Sequence, residues 1–535
     1  MASTEVTSQV DAGSPDWWLT MLTRALLDRL PFFEERGAYV EGRQQWPQLD
    51  RRYWKAYGHL QSICSTNYCG LVTNAAVQRM EIRGFEFGEG GILDPDAANI
   101  WSSNDMDMQS TTINAHAAKF GLSYALVEPA DPDDLQNPNQ LPVITALDPR
   151  TTIIYRDPKK PTRALAALRM WNDDVFGRVL AVLYLPDAIY GYLGPQISSV
   201  SGVSMVELQN RLLGINGGPG GFELAETTDN ELGQVPIVEF QWRPETGLLP
   251  ESEASFDVRT IQDRLNQTVF DRVAISATQA YKQRWVSGIK PALNKQGNAK
   301  APFDPGSDKL WVTESETAKF GEFTSADVTQ ILDAIRDDIS DIAAITQTPS
   351  HYLMGKVANV SGETLALAET GLVKKIKQRM KSMGWSYEVL MRLAFAYSGD
   401  SRATDPAACV IWIDPEQNAL TDQAAAAAQF ISSGIPVNIT MERVGGFTED
   451  QITAAQEQAE IQQQQQMDMQ TQQMEMQTQV AQAGIGESQA KASALKAGPS
   501  STGNGGGNPR ASKATTSKAS KATAAPSKPT KPSSA

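Results

Sequence analysis

Apolar residues recur at steps of three and four along two neighbouring segments in the centre of the chain, and this spacing predicts two helices. The first is predicted over residues 324–346, before Pro349 stops it. The second begins at Ser361 and, at a rise of 1.5 Å per residue, spans roughly 55 Å. Gly371 and Gly384 lie inside it, so a kink is predicted. The apolar positions are Val328, Ile331, Leu332, Ile335, Ile339 and Ile342 in the first helix, and Leu365, Ala368, Leu372, Ile376, Met380, Met383, Tyr387, Leu390 and Ala394 in the second.

Short apolar runs bounded by proline, aspartate and glycine predict β-strands in the first half of the chain. A helix is predicted from Asp16 onward with an interruption at Pro31, and Gly84 and Gly121 are predicted to end further helices. The combination indicates an antiparallel meander with helices on one side, which is an α+β arrangement. The predicted strands cover residues 124–128, 143–147, 151–155, 164–171, 179–185, 189–193 and 235–242, with a later one at 409–413.

Composition indicates a soluble globular protein with about two to four domains. The net charge of −15 argues against a protein that coats nucleic acid, because phosphate binding needs a basic surface. No long apolar run and no basic–apolar–cleavage pattern occur, so we expect neither a membrane span nor a signal peptide. The 3 cysteines are too few and too scattered for a disulfide framework, which predicts maturation in a reducing cytoplasm.

The inventory of reactive residues argues against an enzyme. The 3 histidines are far apart, and neither a Gly-x-Ser-x-Gly nor a His-Glu-x-x-His sequence occurs. A glycine-rich run at residues 214–221 lacks the Lys-Ser/Thr pair that holds phosphate and magnesium, so a loop is predicted there. The aspartates of residues 324–346 lack the spacing of a magnesium site. We therefore predict no catalytic residue, no cofactor and no metal.

Several short sequence elements follow one another in a fixed order. They are Tyr-Val-Glu-Gly at 39–42, Gly-Phe at 84–85, Trp-Ser-Ser-Asn-Asp-Met-Asp at 101–107, Gly-Leu-Ser-Tyr at 121–124 and Gln-Arg-Trp-Val-Ser-Gly at 283–288. The series resembles portal proteins of long-tailed phages of actinobacteria. The acidic helix at 324–346, the following loop with one lysine, and the long glycine-interrupted helix resemble the stem helix, tunnel loop and kinked helix of that family.

The resemblance implies a portal-type α+β fold with a defined order of regions. These are a flexible N-terminus (1–15), an α/β wing (16–255), a first stem helix (256–287), a small α/β clip with a strand at 309–314 (288–323), a second stem helix (324–346), a tunnel loop (347–360), a long kinked helix returning to the wing (361–412), a helical crown (413–485) and a disordered basic tail (486–535). Two interpretations of the tail stay open. It either contacts packaged DNA or scaffold protein, or it has no fixed partner.

Acidic residues on the predicted second stem helix suggest how this helix interacts with DNA. In a ring of identical subunits, each carboxylate repeats around the axis, and the summed field repels DNA phosphates over about 8–10 Å. The alternative is that the carboxylates face water or pair with Arg336 and nearby lysines. The channel candidates are Asp333, Asp337, Asp338 and Asp341.

Basic and polar residues in three other places are further candidates by resemblance. The tunnel loop offers Lys356 as a cation to the DNA phosphates, although a solvated lysine is the alternative. A basic patch on the long helix either pairs with acidic faces of an adjacent subunit or is plain surface. The clip is assigned to contacts with other proteins only because of its position in the chain. The loop candidates are His351, Lys356 and Asn359, the patch is Lys374, Lys375, Lys377, Arg379 and Lys381, and the clip candidates are Lys290, Lys295, Lys300 and Lys309.

The function that the resemblance implies is structural. It implies a homo-oligomeric ring, dodecameric in the family, at one capsid vertex of the virion, assembled in the host cytoplasm without a membrane. Double-stranded DNA passes through this ring, and its protein partners are the terminase large subunit, the head–tail adaptor and the major capsid and scaffold proteins. Another head-vertex protein, such as a minor head protein or an adaptor, is the alternative, although adaptors are generally shorter. A nucleic-acid-processing hydrolase is less favoured.

Overall fold

The structure is a computed structural model. It describes residues 11–46, 55, 57–88, 93–134, 137–173, 175, 177–196, 221–245, 249–279, 284–289, 312–313, 315–322, 328–355, 362–416, 420–437, 440, 464, 467 and 469. The chain divides into two compact units, Met1–Gly446 and Phe447–Ala535, and every helix and strand with defined bounds lies in the first.

Helix α1 (Pro15–Val40) packs on a five-stranded antiparallel sheet. The strands follow one another in chain order as a meander, and the leucines Leu19, Leu22 and Leu26 of α1 join its core. Four of the predicted strands therefore form a meander, with one additional strand at its edge whose residues are all exposed, whereas the predicted strands at 124–128 and 143–147 lie in a second sheet. The strands are β4 (Thr152–Asp157), β5 (Lys160–Asp173), β6 (Arg178–Tyr184), β7 (Ala188–Gln196) and the additional β8 (Glu223–Asp229).

Helix α1 continues through Pro31, so the predicted interruption is wrong. A proline inside a helix removes one hydrogen bond and costs roughly 3 kcal/mol. Leu27 on one side of Pro31 and Phe33 on the other are both buried. Burial of each such side chain returns about 1.5–3 kcal/mol, which is enough to hold the helix together across the proline.

A second sheet has three strands in the order β3-β2-β9, namely β3 (Val143–Leu147), β2 (Leu122–Glu128) and β9 (Ile237–Gln241). Successive side chains of a strand point to opposite faces. On one face of β2, Ala125 and Val127 pack against helices, whereas on the other Tyr124 and Leu126 pack in the core that contains Ile154 of β4. This sheet is therefore a central layer between the helices and the five-stranded sheet.

Helix α4 (Met106–Phe120) leads into β2 and ends at Gly121, which has a φ of +95°, as predicted for a helix-ending glycine. Gly84 behaves differently. Helix α2 (Tyr68–Val77) ends well before it, and Gly84 lies inside strand β1 (Ile82–Glu86), so this prediction is wrong. The segment is extended because it pairs with the predicted return strand, β12 (Cys409–Trp412), which is distant in sequence.

The remaining elements include the helices that resemble the stem and the long kinked helix. Helix α5 (Phe256–Gln279) ends before the Gln-Arg-Trp element, and β10 (Arg284–Ser287) pairs with β11 (Lys319–Glu322), so Arg284 and Trp285 of this element lie in a strand rather than in the predicted stem helix. A short helix, α7 (Ser350–Met354), lies within the predicted tunnel loop. The bounds are α3 (Pro95–Ser103), α5 (Phe256–Gln279), β10 (Arg284–Ser287), β11 (Lys319–Glu322), α6 (Thr329–Thr346), α7 (Ser350–Met354), α8 (Gly362–Tyr397) and α9 (Leu420–Ser432), with 3₁₀ turns at Gly58–Ile63 and Ser401–Thr404.

Several predicted features lie outside the described residues. Of the predicted clip strand, only Val312 and Thr313 are described, and neither is in a strand. Among the described helices, none is long and apolar enough to span a membrane. The features outside are residues 1–10, the glycine-rich run up to residue 220, Lys290, Lys295, Lys300, Lys309, Lys356, Asn359, most of the predicted crown and the tail at 486–535.

The two glycines of α8 have different surroundings. A Cβ atom on Gly384 would lie 2.9 Å from Val410 Cγ1 of strand β12, which is closer than side-chain atoms tolerate. A Cβ atom on Gly371 would lie 3.8 Å from its nearest neighbour, Gln347 Cβ, which is an ordinary contact. Gly384 thus permits the close approach of β12, a role different from the kink predicted for it.

We predict opposite effects for alanine at these two glycines. Gly384→Ala should lower the free energy of unfolding by about 1–3 kcal/mol, because β12 has to move away from the helix. Gly371→Ala is the matched control and should raise it by about 0.5–1 kcal/mol, because alanine favours a helix interior. Urea unfolding followed by circular dichroism measures both, and equal effects at the two positions would contradict the packing role of Gly384.

Candidate functional site around the central helices

Helices α5 and α6 form a pair with one shared apolar face. Ile261, Leu265 and Val269 of α5 join Ile339 and Ile342 of α6 in a single buried cluster. These side chains recur at steps of three and four along each helix, which places them on one face. The packing fixes which side of α6 faces the protein and which side stays exposed.

An ion pair at the edge of this face holds one of the predicted channel aspartates. Arg264 Nε of α5 donates a hydrogen bond to Asp338 Oδ1 over 2.7 Å, and Arg264 Nη2 lies 3.1 Å from Asp341 Oδ2. The hydrogen bond to Asp338 raises the pKa of Arg264. Asp338 is buried against α5, so its carboxylate serves the helix pair within one subunit.

The other three predicted aspartates form an exposed acidic stripe on α6, defined as Asp333, Asp337 and Asp341. They are spaced by four residues, so they lie on the same side of the helix. Asp333 pairs with Arg336 over 3.0 Å, and Asp341 contacts Arg264. Among the described residues, Asp337 has no ion-pair partner. Surface pairs of this kind are weak, so the stripe remains accessible to other charges.

The start of the predicted tunnel loop is attached to the body by Arg79, which lies just after α2. Arg79 Nη2 donates to Tyr352 Oη of α7 over 2.6 Å and to Glu369 Oε2 of α8 over 2.9 Å. Its Nη1 also donates to the carbonyl of Pro415 over 3.0 Å. Burial lowers the pKa of Arg79, but the hydrogen bonds with Glu369 and Tyr352 raise it further than burial lowers it.

His351 belongs to the same cluster. Its Nε2 lies 3.6 Å from Glu369 Oε1, and its ring packs beside Tyr352 with a centroid separation of 4.7 Å. One arginine therefore joins four parts of the chain: the end of α2, the helix α7, the start of α8 and the segment after β12. The two sides of the loop that contains Lys356 are held at α7 and α8.

A buried charge cluster joins α8 to the end of α6. Lys375 Nζ of α8 donates to Glu253 Oε1 over 2.5 Å and to the backbone carbonyl of Thr346 over 2.6 Å. Trp242 Nε1 donates to the other carboxylate oxygen, Glu253 Oε2, over 2.8 Å. Burial lowers the pKa of Lys375, while Glu253 raises it. The side chains of Lys375 and Glu253 are only 7 % and 3 % exposed, so each charge depends on the other.

The five residues of the predicted basic patch divide between the interior and the surface. Lys375 and Arg379 are buried within the subunit, whereas Lys374, Lys377 and Lys381 are exposed on the other side of α8. Lys377 Nζ lies 3.1 Å from Asp414 Oδ1. Helical geometry explains the division, because residues four apart share a face and their immediate neighbours do not.

The roles of three residues that organise this region were not predicted from the sequence. Glu253 and Trp242 lie near the ends of elements without any motif, and Arg79 follows an apolar helix with no sign of its distant partners. The sequence shows only a single charged residue beside an apolar segment at such positions, and this does not identify the distant residue with which it pairs. Within the described ranges, no group of three or more side chains could hold a metal ion.

Comparison with known proteins identifies relatives over most of the chain. Residues 55–471 match the family described as phage portal protein, SPP1 Gp6-like. The chain is 23 % identical over 417 residues to the portal protein of Mycobacterium phage D29, which covers 75 % of this chain and 81 % of that protein. It is 23 % identical over 385 residues to the portal protein of Mycobacterium phage L5, covering 70 % of this chain and 74 % of that protein.

We predict that Lys375→Met destabilises the fold by about 3 kcal/mol, because it leaves the carboxylate of Glu253 buried without its cation. This loss of stability should lie at the lower end of the range for a broken buried ion pair, because Trp242 still donates a hydrogen bond to Glu253. The control is Lys374→Met, an exposed position on the same helix, which should change stability by less than about 0.5 kcal/mol. Urea unfolding of the two variants tests this, and equal losses would contradict the role of the buried pair.

Proposed function

The chain belongs to the phage portal protein family, and from this premise we propose that its copies close into a ring that forms the DNA channel at one capsid vertex. Proteins of this family are structural components of the virion rather than enzymes. A chain of this kind builds a closed ring when the same two surfaces meet around an axis. The observation that carries the channel role is the acidic stripe, which stays exposed although its neighbour Asp338 is turned into the subunit.

In the proposed ring, the acidic stripe lines the channel. Repetition around the axis concentrates negative charge along one wall, and the resulting field keeps a passing duplex away from that wall. A basic wall would instead bind the phosphates and release counterions, which slows movement. The packing of α6 against α5 and the contact of Thr346 with Lys375 keep these charges at fixed positions.

The loop between α7 and α8 is proposed to contact the DNA at the narrowest part of the channel. Lys356 and Asn359 are its candidates, with Lys356 as the cation for phosphate, and His351 of the preceding helix α7 is a further candidate. A single cation per subunit gives a weak hold, which suits a sliding contact. The attachment of both flanking helices to Arg79 supports this proposal, because it fixes the positions of the two helices that the loop connects.

The exposed side of α8 and the clip region are proposed to serve protein contacts. Lys374, Lys377 and Lys381 are available for acidic surfaces of an adjacent subunit. The region at 288–323 is proposed to bind the terminase large subunit during packaging and the head–tail adaptor afterwards, with the major capsid and scaffold proteins as further partners. Its candidates remain Lys290, Lys295, Lys300 and Lys309.

The ring is tested with the purified full chain. We expect native mass spectrometry to give one closed oligomer and negative-stain electron microscopy to show particles with a central hole. A chain that stays monomeric at high concentration would contradict the proposal. An open filament would also contradict it, because a filament forms when the subunit rotation fails to close.

We predict that reversing charge on the acidic stripe slows packaging without preventing ring assembly. The variant is Asp333→Lys together with Asp337→Lys, because Asp338 has to stay in its ion pair with Arg264. Lysines in the channel attract phosphates, so the packaging rate should fall several-fold, on the order of the effects that charge has on DNA association.

The matched control for this prediction is Glu223→Lys together with Glu226→Lys on the exposed strand β8, which changes the net charge by the same amount. Packaging rates are compared in an assembly system that contains the full set of phage proteins. An equal rate in wild type and in the α6 variant would show that the stripe does not face the DNA.

A further inference from the structure

A cavity beside Lys375 has excess positive charge at its inner end. The cavity has a volume of about 630 Å³, and its lining comes from the start of α5, the end of α6, α8 and the segment after β9. Lys375, Arg379 and Arg243 all line it. The cavity is also lined by the carboxylates of Glu245, Glu251, Glu253 and Asp257, of which Glu253 is the deeply buried one. The buried cations Lys375 and Arg379, with the exposed Arg243 nearby, thus surround one buried anion.

Arg379 is the cation that this arrangement leaves without a hydrogen bond. Its side chain is 9 % exposed, and its Nε is buried without a hydrogen-bond partner among the described residues. Glu253 Oε2 is 4.0 Å away, which is too long for a hydrogen bond, and it already accepts one from Trp242. Burial lowers the pKa of Arg379, Glu253 raises it and Arg243 lowers it.

A buried guanidinium with unused donors is costly, because it has lost water without gaining a partner. The guanidinium carbon of Arg379 lies 5.9 Å from the centroid of the Trp242 ring, at the outer limit of a cation–π contact. Guanidinium groups bind carboxylates through two parallel hydrogen bonds. The inner end of the cavity is therefore suited to a single carboxylate.

The mouth of the cavity limits which anion can enter. Phe256 and Ile345 line the cavity and are 67 % and 48 % exposed, so apolar surface lies beside its charged groups. Glu245 and Asp257 also line the cavity and are exposed, and they repel a polyanion such as DNA. The combination suits an acidic side chain that is flanked by apolar residues of a folded partner.

We propose that this cavity receives an acidic side chain of a second copy of the chain, whose carboxylate pairs with Arg379 and Arg243. The inference rests on the proposed ring, which brings a second copy beside each subunit. Charge complementarity supports this occupant, because the chain has 62 acidic residues against 47 basic ones and therefore carries carboxylates in excess on its surface. Phe256 and Ile345 become covered in the same contact.

The test variant is Arg379→Met, which keeps an apolar side chain over Trp242 and leaves Lys375 and Glu253 as a balanced pair. We expect the midpoint of thermal unfolding of the dilute monomer to stay unchanged or to rise, since the variant removes a buried guanidinium whose Nε has no hydrogen-bond partner among the described residues. The protein concentration at which half of the chain is in rings should rise about tenfold or more. Native mass spectrometry over a dilution series measures this concentration.

The matched control is Arg24→Met, which removes an exposed arginine from helix α1 and should leave ring formation unchanged. A monomer that loses thermal stability in parallel with ring formation would show that Arg379 is structural, and this would overturn the inference. The same conclusion follows if Arg379→Met forms rings as readily as wild type. If wild type forms no ring, the proposed function fails together with this inference.

Inorganic phosphate serves as the probe for a free anion. If phosphate raises the unfolding temperature of wild-type monomer but not that of Arg379→Met, while both proteins assemble equally, the cavity is a site for a dissolved anion. That result would overturn the proposed subunit contact. Phosphate that weakens the rings of wild type, but not the rings that Arg379→Met still forms, would support it, because the ion competes with the neighbour's carboxylate.

Discussion

The buried contact among Lys375, Glu253 and Thr346 is the constraint on which the arrangement of the central helices depends. A charge taken out of water needs a partner at short distance, so the ammonium and the carboxylate fix each other. The ammonium also binds a carbonyl in the last turn of α6, where the helix dipole is negative and favours a cation. One side chain thereby sets the end of α6 relative to α8 and to the segment that leads into α5.

This attachment fixes the positions of the charges in the acidic stripe. Charges on a mobile segment give a diffuse field, whereas charges on a helix that is packed on one side and fastened at its end give a fixed one. Arg79 does the same for helix α7 and the start of α8, because it binds both helices and the Pro415 carbonyl. The proposed channel wall would therefore combine a fixed repulsive surface with a loop whose two flanking helices are held by one arginine.

Most of the regular elements could be predicted from local sequence. The period of the apolar residues predicted α6 and α8, and short bounded runs predicted the meander, because these patterns record which face of an element is buried. The helix end at Gly121 was predicted for another local reason, since a helix end with a positive φ favours glycine. The helix interruption at Pro31, the helix end at Gly84 and the continuation of the first stem helix to residue 287 were predicted wrongly. In each case a distant partner or a buried side chain outweighed a local preference.

The sequence by itself determined the α+β class, the helical faces and, through the order of its short motifs, the family to which the chain belongs. Tertiary structure decided which charges are available. Asp338 and Asp337 are neighbours, as are Lys374 and Lys375, yet one of each pair is buried and the other exposed. A helix turns by about 100° at each residue, so adjacent positions meet different surroundings. Only the packing of one helix against another defines which of them faces a partner.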